Sequence, residues 1–219
     1  MRWRFDGEIA GVGSVGGTRI VVGRWRHSPL GDFADVMVER SSGERTLLAP
    51  SEEVAAFVGV TYRFDRVRIV DVHVTDVPGS PESVRPGGRS AGWSIEAGPL
   101  RCRLGFGGRT LLGRLLGAVP GPLATSTGWA AAVDPVARVI LRGVRTRGRT
   151  GNRREWYAAR DVRSIVELDA DWDGADLGPL APVDPPVRFG FGSTPRRPSV
   201  VRLVTTVDVP DLPTDDSTR

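Results

Sequence analysis

The chain has 219 residues, of which 40% are hydrophobic, and a formal net charge of +4; all 30 basic residues are arginine, because lysine is absent. Without lysine the chain can form neither a side-chain Schiff base nor a P-loop phosphate site, and a single cysteine excludes an internal disulfide. The modest charge and the absence of a long apolar run predict a cytoplasmic protein without a nucleic-acid partner or a membrane span.

The first third of the sequence alternates apolar and polar residues in the manner of β-strands. The pattern predicts strands over residues 2–9, 18–25, 32–39 and 44–50. The turn-forming tripeptide Ser41-Ser42-Gly43 separates the last two strands and predicts a hairpin. Together these features indicate an antiparallel meander.

A short helix and a long strand are predicted next. Ser51 is a favourable N-cap residue, and Glu52 and Glu53 follow it in the first turn, where the helix dipole favours negative charge. Residues 66–77, RVRIVDVHVTDV, then alternate throughout. We therefore expect one continuous strand over residues 66–77.

The middle of the chain changes its pattern twice. Residues 78–92 are rich in proline and glycine and predict an exposed loop within a long hairpin, and strand alternation resumes over residues 92–106. Residues 109–142 then carry apolar residues at helical spacing, interrupted by glycine and proline. This segment predicts a helical insertion that packs over the sheet or binds a partner.

The last third returns to strands, predicted over residues 163–172, 186–192 and 199–209, and the polar segment 209–219 is predicted to be a disordered tail. We expect one domain over residues 1–208. Its predicted class is mainly β, all-β to α+β: a single antiparallel β-barrel-like domain with a helical insertion over residues 109–142.

Catalytic and metal chemistry has few residues to use. His27 and His73 are the only histidines, and neither belongs to a triad motif or to a recognised metal-ligand spacing. The glycine-rich segment 11–17 precedes a strand instead of a helix, which disfavours a dinucleotide site. The sequence therefore predicts no metal site and no cofactor.

Two segments rich in arginine and aromatic residues are the candidates for a ligand site. They are GRWRHSPLGDF, residues 23–33, and REWYAARD, residues 154–161, and both are predicted to lie in loops at strand ends. Arginine beside tryptophan or tyrosine suits an acidic or partly apolar ligand. The predicted ligand-binding residues are Arg24, Trp25, Asp32, Trp156, Tyr157 and Arg160, and the candidate acid–base residues are His27 and Glu155.

Residues 28–76 combine SPLGDFADVMVE with GERTLLAPSEEVAAFVGVTYRFDRVRIVDVHV. The order is a proline-glycine turn into a strand, a second strand, a short helix and a long strand. This layout resembles that of acetoacetate decarboxylase-like β-barrel proteins, which implies a barrel. The family's catalysis is not implied, because its Schiff-base lysine is missing. The tripeptide Gly23-Arg24-Trp25 also matches the G-x-W of lipocalin-like barrels.

The sequence leaves three functions open. The first is the binding of a small apolar or acidic ligand in a β-barrel pocket. The second is a lysine-independent enzyme, a lyase or hydrolase, that uses His27 or Glu155 as its acid–base residue while arginine holds a carboxylate. The third is a protein-interaction module that uses the apolar insertion. A homo-oligomer is also left open.

Overall fold

The computed structural model describes residues 2–78, 92–117, 147–150, 153–190 and 194–208. The helices within these ranges are α1 (Glu52–Thr61) and α2 (Leu111–Gly117). The strands are β1 (Arg2–Ser14), β2 (Arg19–His27), β3 (Phe33–Glu39), β4 (Arg45–Ala49), β5 (Arg66–Ile69), β6 (Val72–Val77), β7 (Gly92–Ala97), β8 (Leu100–Arg109), β9 (Arg147–Thr150), β10 (Arg153–Trp172), β11 (Ala175–Asp176), β12 (Leu180–Ala181) and β13 (Ser199–Asp208).

The strands form one curled sheet, with the order β5-β4-β3-β2-β1-β13-β10-β8-β7-β6 and with β9, β11 and β12 paired beside this path. Within the described ranges every strand pair is antiparallel except β4 with β5, which is parallel. The sheet curls into a half-barrel. The predicted mainly β, barrel-like fold class is therefore confirmed.

The two edges of the sheet are consecutive in the chain. β5 ends at Ile69 and β6 begins at Val72, so a two-residue link joins strands at opposite edges. Within this link the backbone N–H of Val70 donates to the carbonyl of Ala49 at 2.9 Å. The prediction of one strand over residues 66–77 is wrong, because the alternation continues across the break and does not reveal a change of pairing partner.

The sheet buries residues on both of its faces. On the concave face, β1 to β4 pack against β7 and β8 and form the inner core, which includes Ala10, Val12, Ile20, Val36, Trp93, Ile95 and Leu104. On the convex face lies the outer core, which includes Phe5, Val21, Met37, Leu47, Val58 and Phe189. Because successive side chains of a strand point to opposite faces, every residue of β3 is buried.

The predicted helix after Ser51 is confirmed. Ser51 has an extended backbone, and its hydroxyl accepts a hydrogen bond from the N–H of Val54 at 3.2 Å. Val54 and Val58 are buried in the outer core, while Glu52 and Glu53 lie in the first turn. Because α1 connects β4 to β5, it supplies the crossover that a parallel strand pair requires.

The predicted strand over residues 186–192 is wrong in its described part. Residues 186–190 have no regular secondary structure, and the rest of the segment lies outside the described residues. Phe189 is buried in the outer core, while Arg188 donates from its backbone N–H and from Nε to Glu39, each at 2.7 Å. The burial of Phe189 and hydrogen bonds with Glu39 and Arg63 hold this segment. Its short apolar pattern cannot be distinguished from that of a strand.

The insertion predicted over residues 109–142 is described only at its start. Arg109 ends β8, and in α2 the N–H of Gly113 donates to the hydroxyl of Thr110 at 3.0 Å. The rest of the insertion and the tail 209–219 lie outside the described residues. Neither α1 nor α2 is long and apolar enough to cross a bilayer.

Candidate functional site

A β-bulge lies near the end of β2. Gly7 of β1 lies opposite Trp25, whereas Asp6 lies opposite His27, so Arg26 is an extra residue in β2. A bulge re-aims the side chains next to it, and Arg26 and His27 both line the concave face. β2 continues two residues beyond the predicted strand 18–25, so the prediction of a loop is wrong for Arg26 and His27.

A second bulge occurs in β10. Arg160 is an extra residue there, so that Asp161 lies opposite Arg202 of β13 and faces the concave side. The segment REWYAARD belongs to β10, and its prediction as a loop is therefore wrong. The two bulged strands, β2 and β10, flank the central pair of β1 and β13.

An inner cleft with a volume of about 340 Å³ opens on the concave face. Phe106 and Val200 form its apolar floor, and both contact the inner core. Apart from Gly7, the walls are charged or titratable: Asp6, Glu8, Arg26, His27, Asp76, Asp161, Arg163 and Arg202. The cleft therefore combines an apolar base with a polar rim.

Arg24 does not line the cleft itself, but it contacts Asp76, which does. Its Nη1 donates to Asp76 Oδ1 at 2.7 Å, and its guanidinium lies over the Trp93 ring, 5.6 Å from the centroid. Arg26 approaches the other oxygen of the same carboxylate at 3.5 Å. Because Asp76 belongs to β6, these contacts tie that edge strand to β2.

Two further arginines are held at the opposite side of the cleft, where Arg163 lines the wall and Arg109 contacts a lining residue. Arg109 Nε contacts the carboxylate of Asp161 at 3.0 Å. Arg163 donates from Nε and Nη2 to the carbonyl of Gly107, at 3.2 and 3.0 Å, and lies over the Phe106 ring. These contacts fix the direction in which the Arg163 guanidinium faces the cleft.

Four titratable side chains of the cleft have no hydrogen bond or ion pair in the described structure: Asp6, Glu8, His27 and Arg202. Asp6 lies opposite His27, and Glu8 lies opposite Arg202, on neighbouring strands. Convergence of such groups on one cavity is typical of a binding or catalytic site. The cleft can offer a guanidinium to an anion and two carboxylates to hydrogen-bond donors.

A smaller outer pocket, of about 50 Å³, lies on the convex face beneath α1. This volume has room for about three water-sized groups. Trp25 Nε1 donates to Asp35 Oδ1 at 3.1 Å, and the hydroxyls of Tyr62 and Tyr157 lie 3.2 Å apart. Much of the wall is aromatic: Phe5, Trp25, Phe33, Phe57, Tyr62 and Tyr157.

The outer pocket contains two buried polar groups with unused hydrogen-bonding capacity. Asp35 is 4% exposed, and its burial raises the pKa of the carboxyl to about 7, although the hydrogen bond from Trp25 opposes the shift. Thr205 lies between Phe5 and Tyr157 on adjacent strands, and its buried hydroxyl has no hydrogen-bond partner among the described residues. Such groups favour a ligand with polar atoms.

Gly23 makes room for the hydrogen bond between Trp25 and Asp35. It lies opposite Asp35, and a Cβ on it would lie 2.5 Å from Asp35 Oδ1 and 2.9 Å from Trp25 Nε1. We expect Gly23→Ala to lower the free energy of unfolding by about 1–3 kcal/mol, because the side chains must shift within a packed site. Urea denaturation followed by tryptophan fluorescence measures the change.

Gly59→Ala is the control for this prediction. Gly59 lies in α1, and a Cβ there would meet no atom within 4 Å. Alanine is about 1 kcal/mol more favourable than glycine within a helix, so this variant should gain stability. A Gly23→Ala variant as stable as the wild-type protein would contradict the tight packing around Asp35.

The structure divides the predicted site residues between the two pockets. Trp25 and Tyr157 line the outer pocket together, and His27 lines the inner cleft. Arg24 contacts the inner cleft through Asp76. The two predicted segments therefore meet at the outer pocket, through Trp25 and Tyr157. Other residues of the same segments, His27 and Asp161, line the inner cleft on the opposite face of the sheet.

The other predicted residues lie in neither pocket or cannot be placed. Asp32 is exposed just before β3, and Arg160 is half-buried at the bulge of β10. Neither lines the inner cleft or the outer pocket. Glu155 and Trp156 belong to β10, but their side chains lie outside the described residues.

Sequence reasoning missed Asp6, Glu8, Arg202 and Asp35. Arg202 and Asp35 each stand alone within an apolar stretch, VVRLV and FADVMV. A charged side chain among residues that pack into a core is uncommon without a partner. This local contrast is the signal that could have identified them.

Within the described residues, neither Cys102 nor α2 adds a candidate site. Burial raises the pKa of the Cys102 thiol to about 12, so its nucleophilic thiolate is disfavoured. Leu111 and Leu115 of α2 are exposed, but the apolar residues of the insertion beyond α2 lie outside the described residues.

No family model matches the chain, and no curated protein matches it. No protein or solved structure that matches the chain is described as acetoacetate decarboxylase-like, so that resemblance stays a prediction. Among solved structures, the chain is similar to a crystal structure of a protein provisionally named AttH, from Nitrosomonas europaea, with 10% identity and a TM-score of 0.29 over 94% of this chain. The chain spans 38% of that protein's length. A likeness at this level carries no argument about function.

Proposed function

We propose that this protein binds a small acidic molecule in the inner cleft. The observation that carries the proposal is the Arg202 guanidinium, which faces the cleft without a hydrogen bond or ion pair in the described structure. The cleft volume of about 340 Å³ lies within the range typical of small-molecule sites, about 300–1,000 Å³. Arginine binds carboxylates and phosphates through paired hydrogen bonds.

The polar walls favour an acidic ligand over an apolar one. Arg202 supports binding of the anionic group, while Asp6 and Glu8 can accept hydrogen bonds from hydroxyl or amino groups elsewhere on the ligand. Phe106 and Val200 offer contact for a short carbon chain. The class that suits these groups together is a short hydroxy or amino carboxylic acid.

A lysine-independent enzyme is the second candidate, and the position of His27 favours it. Its imidazole lines the same cleft, and Asp6 lies opposite it on β1. A histidine beside a carboxylate can act as a general base towards a bound substrate. In this version Arg202 holds the substrate's carboxylate, and His27 removes or returns a proton.

We expect Arg202→Gln to weaken the binding of a short hydroxycarboxylate by about 10- to 100-fold, because a charge-assisted hydrogen bond contributes about 1.5–3 kcal/mol. Malate and citrate are suitable probes for isothermal titration calorimetry. Arg68→Gln is the matched control, because Arg68 is exposed on edge strand β5 and does not line the cleft.

The outcomes separate the candidates. Equal affinity of the wild-type and Arg202→Gln proteins, or binding of neither acid, would contradict the proposed site. Incubation of a bound acid with the wild-type protein, followed by proton NMR, tests for turnover. Conversion that is lost in His27→Ala favours the enzyme, and an unchanged ligand favours binding alone.

A further inference from the structure

We propose that the outer pocket is a second binding site, which takes the ammonium group of a small primary or secondary alkylamine. The site lies on the opposite face of the sheet from the inner cleft and shares no lining residue with it. The inference is therefore independent of the proposed binding of an acidic ligand. It rests on the charge, the aromatic wall and the dimensions of the pocket.

The charge of the pocket selects a cation. Among the described residues that line the pocket, Asp35 is the only aspartate, and there is no glutamate, arginine or histidine. A buried carboxylate is poorly solvated, and a positive charge close to it restores the lost stabilisation. An ammonium N–H can donate to the Asp35 carboxylate. Thr205, whose hydroxyl lacks a partner among the described residues, lies three strands away and lines another part of the pocket wall.

The aromatic wall selects an organic cation over a hydrated metal ion. The centroids of Phe5 and Trp25 lie 5.7 Å apart, and those of Phe5 and Phe57 lie 4.8 Å apart, so the rings form a continuous surface. Aromatic faces carry negative potential and attract ammonium groups, while the alkyl part gains apolar contact. A metal ion would instead require several oxygen ligands around it.

The dimensions of the pocket limit the ligand to a short chain. A volume of about 50 Å³ accommodates a head group of a few heavy atoms. Gly23 contributes to this space, because a side chain there would meet both Asp35 and Trp25. The hydrogen bond from Trp25 also holds the carboxylate at the pocket wall.

The experiment compares n-propylammonium with its neutral counterpart, 1-propanol. Tryptophan fluorescence and heteronuclear NMR titrations are made at a pH above the Asp35 pKa of about 7. We expect propylammonium to bind at least about tenfold more tightly than propanol, and Asp35→Asn to weaken propylammonium binding by about 10- to 100-fold.

Asp32→Asn is the matched control, because Asp32 is an exposed aspartate outside the pocket. It should bind propylammonium as the wild-type protein does. Equal binding of the amine and the alcohol, no saturable binding of the amine, or full binding by Asp35→Asn would each overturn the proposal. Loss of binding in Asp6→Asn with retention in Asp35→Asn would place the cation in the inner cleft and overturn it as well.

Discussion

We expect Glu39→Gln to lower the free energy of unfolding by about 3–5 kcal/mol, because it leaves a buried arginine without its counter-charge. The side chain of Glu39 is fully buried, and that of Arg19, whose Nη2 lies 3.0 Å from the carboxylate, is only 8% exposed. Glu39 also accepts two hydrogen bonds from Arg188. Glutamine keeps the shape of the side chain, but it removes the charge and replaces one accepting oxygen with an NH2 donor.

Urea denaturation measures this loss, and Glu44→Gln is its control. Glu44 faces Arg66 at 3.4 Å, with the Arg66 side chain 70% exposed. Solvent-exposed ion pairs contribute at most about 1 kcal/mol, so the control should change little. A similar, small change in both variants would show that the Glu39 carboxylate contributes no more than a surface pair.

Asp35 should make the protein less stable as the pH rises from about 4 to about 7. The folded-state pKa of about 7 lies above the ordinary value of 3.8, so the folded protein keeps a proton that the unfolded chain has released. Stability falls with pH wherever the folded state binds more protons. The shift corresponds to a loss of the order of 4 kcal/mol, which is complete above the folded pKa.

Asp35→Asn isolates this effect. Asparagine can still accept the Trp25 hydrogen bond but does not titrate, so the variant should become progressively more stable than the wild-type protein between about pH 4 and 7. Asp65 does not interfere, because the side-chain hydrogen bond from Arg45 lowers its pKa to about 2, below this window. Parallel stability profiles of the wild-type and Asp35→Asn proteins, measured by urea denaturation, would contradict the assignment.

The stability of Asp35→Asn also separates a loss of binding from a loss of folding at the outer pocket. If Asp35→Asn is the more stable protein at neutral pH and yet fails to bind propylammonium, unfolding cannot explain the loss. Functional sites commonly keep groups that oppose folding. Asp35 would then be such a group, stabilised by its ligand and not by the protein alone.

The candidate sites were predictable only in part. The association of arginine with aromatic residues predicted Trp25, His27 and Tyr157 as site residues, and these side chains line the two cavities. It could not separate the two pockets, because the bulge at Arg26 re-aims the side chains on either side of it. It could not find Arg202, whose significance depends on its strand lying beside Glu8.

Local patterns were sufficient to predict most strands, the helix after Ser51 and the mainly β class, because alternation and helix capping act between residues close in the sequence. The tertiary structure decided which strands pair, where residues 66–77 divide between opposite edges, and which side of the sheet each polar residue faces. These properties depend on contacts between residues far apart in the chain. Pairing register and bulges create both pockets, and neither leaves a periodic trace in the sequence.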